Sequence, residues 1–139
     1  MAVYNKFNQF TKDLIDGKHN FASNVFKIML TNVAPVVTNQ IKADITEIAA
    51  GNGYTAGGTA TTITESTSSG VAKVVGSNVV FTATGTVATF QYAVLYNDTQ
   101  TAPAKPLVAW CDYGSPITLV NTETLTIAFD ATNGIFQVS

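Results

Sequence analysis

Apolar side chains recur at every second position from Phe90 to Asn97, where Phe90, Tyr92, Val94 and Tyr96 alternate with Gln91, Ala93, Leu95 and Asn97. A period of two is that of a β-strand. Leu107–Tyr113, with Trp110 in its middle, predicts a second strand. Asn97-Asp98 starts a turn between them, and Pro103 and Pro106 close the loop. Proline has no backbone N–H, so both prolines are expected outside the ladder. The segment Phe90–Gly114 therefore predicts a hairpin, or two neighbouring strands, at the centre of a sheet.

The opening of the chain has a different rhythm. Val3, Phe7, Phe10 and Leu14 are spaced as one stripe of an amphipathic helix, and Gly17 supplies a stop. This predicts a helical segment within residues 1–20, packed on its own domain or docked on a neighbouring subunit. Asn24–Thr31 reads as a strand with Phe26, Ile28 and Leu30 on one face and Lys27 and Met29 on the other. Lys42–Ala49 predicts a short helix, with Ile45 and Ile48 one turn apart. Asn52-Gly53 and Gly57-Gly58 favour positive φ and mark turns.

Thr59–Glu65, Val71–Val75, Val79–Ala83, Ile117–Val120, Leu125–Phe129 and Ile135–Val138 are further strand candidates. Ser66–Gly70 reads as a polar turn, and Asp130–Gly134 as a hairpin turn of type I′ because of its Asn-Gly. Roughly eight or nine short strands with regular turn signals predict a mainly β chain, an antiparallel β-sandwich or jelly roll. The expected organisation is a single domain over 1–139, with 24–139 forming the sandwich.

Composition sharpens the surface. Charged residues are 12% of the chain, about half the usual share. The polar surface must then be built from Thr, Ser, Asn and Gly, which are cheaper to desolvate than Lys or Glu. Such a surface is either simply neutral or one that packs against other subunits. The seven cations are all lysines, spread along the chain, and the net charge is −2. Nucleic-acid binders cluster their cations and use Arg for bidentate contacts, so no nucleic-acid partner is expected. The first residues lack the apolar core of a secretory signal, and no apolar run approaches the ~18 residues of a membrane span. A soluble chain made in a cytoplasm, without a membrane partner, is expected.

The search for chemistry yields little. Cys111 is the only cysteine and His19 the only histidine, far apart in sequence. A catalytic thiolate needs an activating base, and zinc takes several His or Cys ligands. The Gly-rich tract lacks the Gly-Lys-Ser/Thr of a phosphate loop. Asp112, beside Trp110 and Tyr113, reads as a strand-end carboxylate bonded to nearby backbone N–H groups. No enzyme activity, metal or cofactor is expected. Tyr92, Tyr96, Trp110 and Tyr113 are candidates either for a sugar-stacking platform or for the core and a subunit interface.

The tract Ala43-Asp-Ile-Thr-Glu-Ile-Ala-Ala-Gly-Asn-Gly-Tyr54-Thr-Ala-Gly-Gly58 resembles a set of small structural proteins of tailed bacteriophages. So do Tyr92–Asp98, Trp110 with Asp112–Gly114, Phe129-Asp130 with Asn133–Ile135, and the opening helix followed by Lys27–Asn32. The resemblance implies a virion component, foremost a capsid decoration (cement) protein that binds the major capsid protein. A tail, neck or baseplate component and a glycan-binding attachment module are the alternatives. It implies a homodimer or homotrimer made in the host cytoplasm and seated on the virion. Tyr4, Phe7 and Phe10 are the expected contact residues.

Overall fold

The two strands at the centre of the pattern do pair. A computed structural model describes residues 4–139, so Val3 lies outside the described residues. β1 (Tyr4–Lys6) and α1 (Asn8–Ile15) are followed by β2 (Phe26–Thr31), β3 (Thr59–Thr61), β4 (Ile63–Ser68) and β5 (Val71–Gly76). Then come β6 (Val79–Thr82), β7 (Phe90–Asn97), β8 (Leu107–Ile117), β9 (Thr124–Ile127) and β10 (Phe136–Val138). β7 and β8 are antiparallel, with Val94 opposite Trp110 and Ala93 opposite Cys111. They lie inside a five-stranded sheet of order β1-β8-β7-β2-β3.

One face of this sheet carries Phe26, Ile28, Leu30, Ala93, Leu95, Ala109 and Cys111. They share a core with Val74, Val79, Phe81, Leu125 and Ile127 of two smaller sheets, β10-β5-β4 and β6-β9. The strand pairings are antiparallel. The chain is thus mainly β and sandwich-like, with one α-helix near the N-terminus. The other face of the large sheet is covered as well: Met29, Val94, Tyr96 and Leu107 pack with Phe7 and Ile45. That is why Met29 is buried although Lys27 shares its face.

At Thr62 the chain leaves the large sheet for the small one, since β3 pairs with β2 and β4 with β5. The corner is fastened to Ser77: Thr61 Oγ1 donates to its carbonyl at 2.7 Å, and the Thr62 N–H donates to its Oγ at 2.9 Å.

Six local readings need correction, two of them strands: Ile117–Val120 is no strand of its own, since Ile117 ends β8 and 118–120 are irregular, and Thr59–Glu65 is split between β3 and β4. The helix covers only Asn8–Ile15, and Tyr4–Lys6 is instead an edge strand pairing with Cys111, Trp110 and Ala109. Phe7, at φ −71° and ψ 146°, is still extended, so the stripe drawn through it was a coincidence of spacing. Lys42–Ala49 forms only a 3-10 turn at Lys42–Asp44. Ser66–Ser68 belongs to β4, and the turn is Ser69-Gly70, both at positive φ. Asp130–Gly134 makes no hairpin: it joins β9, paired with β6, to β10, paired with β5.

Candidate contact surface and buried polar network

The side chains expected at a contact surface point inward. Phe7 is fully buried, its ring tilted against Trp110 with centroids 4.5 Å apart. Phe10 is 2% exposed and packs against His19, Phe21 and Phe136. The Tyr4 ring stacks on Phe129 at 5.2 Å, and its hydroxyl is buried with no oxygen or nitrogen partner. Phe7 and Phe10 are therefore core residues of this chain, because β1 and α1 lay them onto opposite faces of the large sheet.

The aromatic candidates separate in the same way. Tyr96 is buried and its hydroxyl donates to the Gly57 carbonyl at 2.7 Å. Tyr92 and Trp110 are half-buried on one face of the sheet. Tyr113, 44% exposed, sits in an irregular stretch of β8 where the pairing jumps from Tyr92–Asp112 to Phe90–Ile117. Asp112 organises that stretch, accepting from the Gly114 N–H at 2.7 Å and Gln91 Nε2 at 2.9 Å. These bonds hold its carboxyl below the ordinary range.

The tract Ala43–Gly58 forms a clamp with Lys42. Glu47 Oε1 accepts from the Tyr54 hydroxyl at 2.7 Å and from the Gly57 N–H, while Oε2 pairs with Lys42 Nζ at 2.7 Å. The Tyr54 oxygen in turn accepts from the Leu30 N–H at 3.1 Å. Burial works to raise the Glu47 pKa, but Lys42, Tyr54 and the Gly57 N–H outweigh it and hold it below its usual value. Gly58 closes the clamp. At φ +76°, a Cβ there would lie 1.8 Å from the Ile28 carbonyl oxygen. Nothing in the sequence pattern marked Glu47 beyond its place between two isoleucines. Replacing Glu47 by Gln is expected to cost about 1–3 kcal/mol in urea unfolding, because Lys42 loses a partly buried counter-charge.

A second buried hub missed by the pattern is Asn97. Its Nδ2 donates to Asn24 Oδ1 at 2.8 Å and lies 3.3 Å from His19 Nδ1. Its Oδ1 accepts from the Thr99 and Gln100 N–H groups. It thereby ties the segment after α1 to the β7–β8 loop. Beside that loop, Asp98 pairs with both Lys27 and Lys105. Cys111 is fully buried, which pushes its thiol pKa up and away from nucleophilic use.

Among the described residues, no group of three or more His, Cys, Asp or Glu is placed to hold a metal ion. No helix there is long and apolar enough to cross a membrane. Among the described residues the exposed large apolar side chains are Val25 before β2, Val33, Val36 and Val37 after it, Ile15 at the end of α1, Val138 in β10, and Val80, Tyr113 and Val120 elsewhere. Neither a protein-family model, nor a curated protein, nor a solved structure matches the chain.

Proposed function

We propose that the chain is a structural protein of a tailed-phage virion, a capsid decoration (cement) protein that binds the outer shell and holds neighbouring capsid subunits together. The reading rests on the resemblance of Ala43–Gly58 to small phage structural proteins. One observation supports it: the residues of that tract serve as scaffold, with Glu47, Tyr54 and Gly57 hydrogen-bonded into one lid over the large sheet. A decoration protein works through surfaces, and this chain presents Thr, Ser and Asn with scattered valines, at 12% charge. Such a surface is cheap to desolvate against another protein. Repetition over a symmetric shell lets individually modest contacts hold through avidity.

Quantitative mass spectrometry of the purified virions tests this. Hundreds of copies per particle are expected. A few copies, or a few dozen, would place the chain in the tail, neck or baseplate instead. Absence from the particle would end the virion reading altogether.

A further inference from the structure

We propose that the free edge of β4 is a self-association surface, pairing antiparallel with the same edge of a second copy about a two-fold axis at Ser66. The sheet order β10-β5-β4 leaves one side of β4 without a strand partner among the described residues. Unpaired edges template pairing with another chain, and proteins blunt them by shortness, Pro, Lys, bulges or cover. The other edges of the two larger sheets are guarded in these ways. β1, β3 and β10 have three residues each, and α1 lies alongside β10. β4 has six residues, Ile-Thr-Glu-Ser-Thr-Ser, with no Pro, one charged side chain, Glu65, and an unbroken register against β5 from Ile63–Gly76 to Ser68–Val71. Five of the six are exposed.

The ladder fixes which backbone groups are free. The Ser77 N–H donates to the Thr62 carbonyl at 2.8 Å, and hydrogen-bonded pairs alternate along an antiparallel ladder. Thr64, Ser66 and Ser68 therefore bond inward to β5, and Ile63, Glu65 and Thr67 present N–H and C=O outward. A second copy can satisfy those groups only in registers that match outward residues with outward residues. Centring on Glu65 would place two carboxylates directly opposite each other, which is destabilising. Centring on Ser66 places Glu65 opposite Thr67, Thr64 opposite Ser68 and Ser66 opposite itself. That register pairs five of the six residues, Thr64–Ser68, and leaves Ile63 opposite the turn residue Ser69; its Ser/Thr pairs are of the kind that hydrogen-bond across strands. The edge is thus self-complementary, as a two-fold contact requires. The inference is independent of the virion reading.

Ser66→Cys gives a register-specific test. At the axis the two copies of residue 66 form a non-hydrogen-bonded pair with Cα atoms about 4.5 Å apart. That is within the span of about 4.4–6.8 Å that a disulfide bridges. Under mild oxidation, S66C is expected to give a covalent dimer many times faster than Thr64→Cys, whose own copy is out of reach. The native Cys111 is buried and does not compete. In sedimentation velocity the unmodified chain is expected to run as a dimer. Thr67→Pro, which removes an outward N–H and no ladder bond, is expected to run as a folded monomer. A chain that stays monomeric at its highest soluble concentration, or S66C linking no faster than T64C, would overturn the proposal.

Discussion

Phe7→Ala is expected to cost about 3–5 kcal/mol of folding stability, the usual range for removing a large buried ring. Against a total of about 5–15 kcal/mol, this brings the chain close to unfolding at ordinary temperature. The loss is large because the core on this side of the sheet is small. Phe7 packs there with Met29, Ile45, Val94, Tyr96 and Leu107, and Trp110 leans on it from the rim. Met29, Val94, Tyr96 and Leu107 stand on three hydrogen-bonded strands, which restricts how far they can collapse into the gap. Thermal unfolding of the isolated chain is the measurement, and a fall of roughly 10–20 °C is expected. A Phe7 that served an intermolecular contact would leave the isolated chain unchanged, so an unaltered melting temperature would refute its place in the core.

The same residue shows where sequence periodicity succeeds and fails. Strands with one wet face were legible, because alternation is then visible: Val79 and Phe81 are buried while Val80 between them is exposed. β9 reads the same way through Leu125 and Ile127. β2 and β7 are covered on both faces, so burial there is nearly continuous; the alternation reveals the strands but not the second covered face. At the N-terminus the spacing of Phe7, Phe10 and Leu14 fits a helix, yet the turn into the helix falls between the first two. Periodicity assumes one element and one core; here a strand and a helix feed two. β4 was read only in part, because its outer half has no apolar alternation. It is a strand because β5 and the Ser69-Gly70 turn make it one.

Polar organisation was harder still to read. Glu47 and Tyr54 are seven positions apart within one irregular segment, and Asn97 gathers donors and acceptors from segments near 20 and 100. Neither arrangement has a periodic signature, since side-chain hydrogen bonds are decided by the tertiary path. The glycines gave a partial clue. Gly53 and Gly58 were expected in turns, and both are at positive φ, but each is also pressed against backbone, of Thr82 and of Ile28 respectively. Position in a turn is local information; close approach to another strand is not.

Acidification from pH 7 to 5 is expected to remove about 2 kcal/mol of stability, and His19 is the group responsible. Its ring lies among Phe10, Phe21 and Phe26, with Nδ1 facing Asn97 Nδ2 and Nε2 buried without a partner. Burial lowers its pKa from 6.5 to about 4, against the opposing pull of the nearby Asp13. A histidine that stays neutral in the fold takes up its proton first in the unfolded chain. Stability is therefore complete above pH 6.5 and falls as the pH drops toward 4, where the native ring titrates too and the loss levels off near 3 kcal/mol. The paired carboxylates Glu47 and Asp98 are held below their ordinary values, against the effect of burial, by their lysine partners and hydrogen bonds. Urea midpoints measured at pH 7, 6 and 5 should decline for the native chain. In His19→Gln they should be nearly level, whatever the variant's absolute stability. The slope discriminates where the level cannot, because Gln also alters packing between the three phenylalanines. A native chain whose midpoint does not move between pH 7 and 5 would mean that the imidazole is solvated and that the segment after α1 is not packed as described.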